Sequence, residues 1–162
     1  MAPAEPFTPE PLAFFLTWTT YGSWLPGDHR GWSDNRGVLR EPSFRLANSA
    51  SRRVTGSAVS LTLTQRKQVV ETITRHCQHR QWTLFAVACR SQHVHVVVSA
   101  PAYQPVTVSQ QLKMWAARAL ASGGVLADKI WTRGCSRRRI YDERGLQAVV
   151  QYVAECQDRP IG

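Results

Sequence analysis

No apolar run in these 162 residues is long enough to cross a bilayer, which argues against a helical membrane protein. The first residues, Met1 to Leu12, lack a basic segment followed by an apolar one, so no secretory signal is visible. Cysteine is scarce: Cys77, Cys89, Cys135 and Cys156 are far apart and form no Cys-x-x-Cys pair. That spacing speaks against structural zinc and against a dithiol redox motif, and it leads us to expect free thiols in a reducing cytoplasm. No internal repeat or low-complexity tract occurs, which removes solenoids and arrays. Negative charge is also in short supply. Eleven acidic residues face 20 Lys and Arg, for a net charge of +9. The basic residues are mostly arginine, whose planar fork suits phosphate, so a polyanionic partner is expected and a membrane is not.

A hydrophobic share of 43% in a chain of this length fits one globular domain. Pro3, Pro6, Pro9 and Pro11 make residues 1–12 a disordered leader in this reading, with a single domain over 13–162. Phe14 to Thr20 is aromatic and β-branched and reads as the first strand. A long loop to about Ser60 follows, rich in glycine and arginine. Its Trp24 and Trp32 are candidates to stack on single-stranded bases, or else to cover the core edge. A helix capped by Thr64 runs to about His79, with Val69, Val70, Ile73 and Cys77 on its apolar stripe. Trp82 to Ala88 is the second strand and forms a hairpin with the third, which begins near His93. Val106 to Leu120 is helical in its later part, with Leu112, Trp115, Ala116 and Ala119 inward and Lys113 and Arg118 outward. Ser136 to Tyr141 is a fourth strand, and Asp142 caps a last helix to about Gln157. This order suits an α+β fold: a ferredoxin-like split βαβ palm, its antiparallel sheet carrying helices on one face, with a C-terminal helix.

Chemistry concentrates in Gln92-His93-Val94-His95-Val96-Val97-Val98. Strand periodicity sends His93 and His95 to one face and Val94, Val96 and Val98 to the other. Two imidazoles on a rigid strand are a ready pair of ligands for a divalent cation. Partly buried histidines bonded to backbone or water are the alternative. On the last helix, Tyr152 is followed within one turn by Glu155 and Cys156, while Gln157 is turned away unless the helix end unwinds. Arg133, Arg137, Arg138 and Arg139, with Lys113 and Arg118, are candidate phosphate contacts.

Three stretches together resemble the single-tyrosine HUH transposases, the group of small insertion-sequence and REP-associated tyrosine transposases. They are Leu16-Thr17-Trp18-Thr19-Thr20-Tyr21-Gly22-Ser23-Trp24-Leu25-Pro26-Gly27-Asp28, the His93/His95 strand, and Tyr152-Val153-Ala154-Glu155-Cys156-Gln157. The resemblance implies a palm that cuts single-stranded DNA with hairpin ends through a tyrosine nucleophile. Tyr152, His93 and His95 would be catalytic, with Mg²⁺ or Mn²⁺ on the histidines. Relatives often place a glutamine or asparagine ligand one turn after the tyrosine. Here that position is Cys156, a soft ligand for Mg²⁺, which leaves Glu155 as substitute and Gln157 second. Relatives also commonly carry a proline and an asparagine where this chain has Arg90-Ser91-Gln92.

The chemistry is coherent without the family. A phenol ionises only near pH 10, so its attack on a phosphodiester needs help, which a cation on the histidine pair would supply. Monomer and homodimer stay open, as does the meeting of Tyr152 with its own or a partner's histidines. The expected location is the cytoplasm, at the nucleoid when bound to DNA. Two rivals stand beside the transposase: a replication or conjugation nickase of the HUH class, and a domesticated module that grips DNA or RNA hairpins without cutting. A two-histidine phosphoesterase is set aside, since His29, His76 and His79 supply no second His-x-Thr or His-x-Ser pair.

Overall fold

The computed structural model describes residues 8–22, 58–127 and 129–155, together with the backbone pairing of two short strands at 32–33 and 39–40. Strand β1 (Ala13–Thr19) alternates as its sequence demands. Phe14, Leu16 and Trp18 are buried on one face, while Phe15, Thr17 and Thr19 are half-buried on the other. The short strands β2 (Trp32–Ser33) and β3 (Leu39–Arg40) pair with each other. Helix α1 (Leu63–Arg80) is capped by Thr62, two residues before the expected Thr64. The Thr62 hydroxyl accepts from the Gln65 amide while the Gln65 side chain accepts from the Thr62 amide, a capping box that fixes the start.

Strands β4 (Thr83–Cys89) and β5 (His93–Ser99) form the expected antiparallel hairpin, with an irregularity between Leu84 and Ala86. Helix α2 (Pro105–Ser122) opens on a proline, whose missing N–H has no partner to lose in a first turn. Strand β6 (Ser136–Ile140) and helix α3 (Glu143–Glu155) are the last described elements, with Asp142 accepting from the Gly145 amide at 2.6 Å. The sheet order is β4-β5-β1-β6, antiparallel throughout, which is the split βαβ arrangement with β5 and β1 at the centre. Among the described residues, no helix is long and apolar enough to cross a membrane.

The two faces of the sheet are covered differently. Phe14, Leu16, Trp18, Val94, Val96 and Val98 pack into the larger core beneath α1 and α2, where Val69, Ile73, Leu112 and Ala116 meet them. On the other face α3 sets Leu146, Val149 and Val153 on Ala13, Ala88, Val97 and Ile140. Helices therefore lie on both faces. Phe15, Ala86, Ala88 and Val97 make that second face apolar enough to require cover, and the closing helix supplies it.

Two expectations are corrected. Trp115, expected inward, is 41% exposed; Leu112 and Ala116 fill the buried stripe, and Trp115 lies outside it against His76. Of the leader expected to be disordered, residues 8–12 are held. The Leu12 amide donates to the Ile140 carbonyl at 2.7 Å, and the Ala102 amide to the Glu10 carboxylate at 3.4 Å. Backbone groups beside a sheet edge take available partners whatever the local proline content.

Candidate active site

His93 and His95 share one face of β5, as alternation requires, and their ring centroids are 4.8 Å apart. The β1 register sets Thr17 opposite His95, and the Thr17 Oγ1 hydrogen-bonds His95 Nδ1 at 2.9 Å. In the tautomer where Nδ1–H donates to the hydroxyl, the Nε2 lone pair of His95 is left for a ligand. His95 is 7% exposed. Burial first, then the charges of His93 and Arg90, lower its pKa to about 4, so its ring is neutral at physiological pH.

Helix α3 brings Tyr152 to this pair. Its ring meets His95 edge-on at 5.8 Å between centroids, and meets Phe15 in the same manner at 6.1 Å. Phe15 in turn stacks on His95 at 5.8 Å. Val149 and Val153, one on each side of Tyr152 in sequence, are buried beneath α3, while Tyr152 itself is 54% exposed. Apolar anchoring thus holds the helix down and leaves the phenol accessible. Tyr152, His93 and His95 meet within a single chain.

Glu155, the one third-ligand candidate within the described residues, does not join them. Glu155 accepts from the Gln151 side chain at 3.0 Å, and among the described residues no third His, Cys, Asp or Glu groups with the histidine pair. Cys156 and Gln157 lie outside the described residues. Cys77, Cys89 and Cys135 form no disulfide, and burial raises the pKa of Cys77 to about 11.

The basic residues divide. Strand periodicity puts Arg138, opposite Phe15, on the Tyr152 face, where it is exposed. Its neighbours turn to the other face: Arg137 donates to Ser109 on α2 at 3.1 Å, and Arg139 to Gln104 at 3.4 Å. Lys113 is committed to the fold. Its ammonium donates to the Thr132 and Gly134 carbonyls at 2.9 and 2.8 Å, and burial lowers its pKa. It ties α2 to the approach of β6 and is not the outward phosphate contact expected. Arg118 lies 5.2 Å from the Trp115 ring centroid on α2, away from the histidines, and Arg133 is exposed just before β6. Trp24 and the Trp32 side chain lie outside the described residues.

Sequence reading missed Thr17 and Phe15 as parts of the site. Their parity on β1 was legible, but their meeting with His95 depends on cross-strand register.

The neutral state of His95 has a consequence for stability. The unfolded chain binds a proton on this ring below pH 6.5, whereas the folded chain resists it until about pH 4. Stability therefore falls as pH drops through that window, by roughly 3 kcal/mol at the acid end. Denaturant midpoints of the protein in chelator should show this decline, and His95→Gln should flatten it.

No family model and no curated protein matches the chain. Among solved structures it is similar to a REP-associated tyrosine transposase bound to a REP hairpin, at a TM-score of 0.55 and 13% identity over 94% of this chain and 70% of that one. A crystal structure of a candidate transposase from Deinococcus radiodurans R1 aligns at a TM-score of 0.47 and 13% identity, over 98% of this chain and 100% of that one. With its four-stranded antiparallel sheet, its helices and its order β4-β5-β1-β6, the chain has the fold of a REP-associated tyrosine transposase.

Proposed function

We propose that this chain is a single-tyrosine HUH transposase that cleaves and rejoins single-stranded DNA, recognising hairpins. The observation that carries this reading is the meeting of Tyr152 with the His93/His95 pair in one chain, at 5.8 Å between the Tyr152 and His95 rings. The fold shared with a transposase captured on a hairpin, and the charge of +9, support the choice of substrate.

The Tyr152 oxygen attacks the scissile phosphorus and gives up its proton to solvent. The bond to the 3′-oxygen breaks, leaving a 3′-hydroxyl on one fragment and a 5′-phosphotyrosine on the other. The ester keeps the energy of the cleaved bond, so a second 3′-hydroxyl can reverse the attack and join a new strand without a nucleotide triphosphate. Phe15 holds the phenol edge-on, which limits its search for the phosphate.

The donor chemistry fits a divalent cation. Two imidazoles share one strand face, His95 is neutral at physiological pH, and its other nitrogen is fixed by Thr17. His93 and His95 would hold Mg²⁺ or Mn²⁺, with Glu155 or Gln157 as further donors after adjustment of the helix end. When bound, such an ion supplies Lewis-acid stabilisation of charge developing on the phosphate.

Incubation with a labelled hairpin-flanked oligonucleotide and Mg²⁺ or Mn²⁺ should give a protein–DNA band that survives denaturing electrophoresis and is suppressed by chelator. Tight hairpin binding without that band, across substrates, would favour a non-cutting binding module. Arg138 is the arginine of its run best placed to contact the DNA near Tyr152. Arg138→Gln should reduce the salt slope of single-strand binding by about 0.7 while Arg139→Gln leaves it unchanged. Equal slopes in wild type and Arg138→Gln would remove Arg138 from the interface.

A further inference from the structure

Beside the first turns of α1, at the start of the turn that leads into the histidine strand, lies an open depression of about 340 Å³ that the chemistry above does not use. Three cations line it: Arg66 and Lys67 from α1, and Arg90 from the end of the β4 edge. Among the described residues Glu71 is the one carboxylate there, against those three cations. Leu63, Val70 and Cys89 supply an apolar wall. The volume is at the small end for ligand pockets and suits a single nucleotide unit, not a duplex.

Arg90 connects this depression to the active centre. Its amide donates to the His93 carbonyl at 2.8 Å, and its charge is felt at the His95 ring. Its side-chain Nε is buried and has no hydrogen-bond partner among the described residues. A buried donor of that kind costs stability, and a turn of the guanidinium into the depression would bring it a phosphate oxygen, the acceptor it binds best. The Arg66 Nε already donates to the Leu61 carbonyl at 3.0 Å, which holds that side chain at the rim, whereas Lys67 is exposed.

We propose that this depression is a phosphate subsite for the single strand, gripping a backbone phosphate away from the cleavage point, on the α1 side of the sheet, through Arg90 and Lys67. Leu63, Val70 and Cys89 take the adjoining sugar or base. The inference rests on the proposed strand cleavage for the identity of its ligand. Its role is to fix the register of the strand, so that one phosphate and not its neighbour reaches Tyr152. Arg90, Arg66 and Lys67 are positioning residues in this scheme.

The test is a binding measurement on the full chain. Thymidine 5′-monophosphate and thymidine are titrated separately while the backbone amide resonances are followed. The nucleotide should shift the amides of Lys67 and Arg90 and the nucleoside should not. With a single-stranded oligonucleotide, Lys67→Gln and Arg90→Gln should each lower the salt slope of binding by about 0.7. Lys67 is exposed, so its variant stays informative should Arg90→Gln fail to fold. Nucleotide-induced shifts that avoid Lys67 and Arg90, equal shifts with thymidine, or a slope unchanged in Lys67→Gln would each overturn the subsite. Both readouts are independent of cleavage. Failure here therefore leaves adduct formation at Tyr152 untouched, and absence of an adduct leaves the subsite result readable.

Discussion

Replacing Tyr152 with phenylalanine removes the covalent protein–DNA product altogether while leaving fold and hairpin affinity unchanged. The substitution deletes one oxygen and keeps the ring that meets Phe15 and His95 edge-on. Tyr152 is 54% exposed, so no buried polar group is orphaned and the stability change should stay within about 0.5 kcal/mol. In the proposed reading, binding would rest on phosphate contacts and hairpin shape, neither of which needs the hydroxyl. Denaturing electrophoresis and a binding titration on the same preparation check the two halves. A variant that still forms the covalent product would transfer the nucleophile's role to another residue.

His95→Ala should slow strand cleavage by roughly a thousandfold at fixed Mg²⁺, the equivalent of several kcal/mol of lost transition-state stabilisation. His95 is the central member of its cluster, in contact with Thr17, His93, Phe15 and Tyr152. It is also 7% exposed, so alanine leaves both a cavity and an unpartnered Thr17 hydroxyl. His95→Gln therefore accompanies it, since an amide can satisfy Thr17 and fills more of the space. Both should lose cleavage, and both should raise the Mg²⁺ or Mn²⁺ concentration needed for half-maximal rate. Thr17→Val is the milder comparison. It keeps the ring but frees its orientation, a change typically worth 10- to 100-fold in metal affinity or activity. Full cleavage by a folded His95→Gln protein would detach the histidine pair from catalysis.

The division between what was and was not legible in the chain follows physical lines. Alternation in β5 and β1 is a local property, and it placed His93 and His95 opposite Val94, Val96 and Val98 as found. The apolar stripe of α3 likewise set Leu146, Val149 and Val153 on one side. Which way an alternating strand faces, however, depends on its neighbours. In β6 the same period of two separates Arg138 from Arg137 and Arg139, yet only pairing with β1 shows that Arg138 accompanies Phe15. Lys113 looked solvent-directed by helical spacing, and the carbonyls of Thr132 and Gly134 that claim it come from a loop about 20 residues away. Trp115 follows the helical stripe only loosely, and the smaller Leu112 and Ala116 fill the buried positions. The need for cover on the second face of the sheet was not legible for a related reason. Phe15, Ala86, Ala88 and Val97 come from separate strands and form an apolar surface only once assembled.

Peptide mapping of the covalent product bears most directly on nucleophilic attack by the C-terminal helix. Trypsin cuts after Arg144 but is blocked at Arg159 by Pro160, so Tyr152 is released on a peptide that begins at Gly145 and runs past Arg159, in which it is the only tyrosine. After nuclease trimming of the trapped DNA, mass spectrometry should find the added 5′-nucleotide on that peptide, at Tyr152. Nucleotide mass on a peptide carrying Tyr21, Tyr103 or Tyr141, or strand cleavage with no tyrosyl adduct, would contradict it.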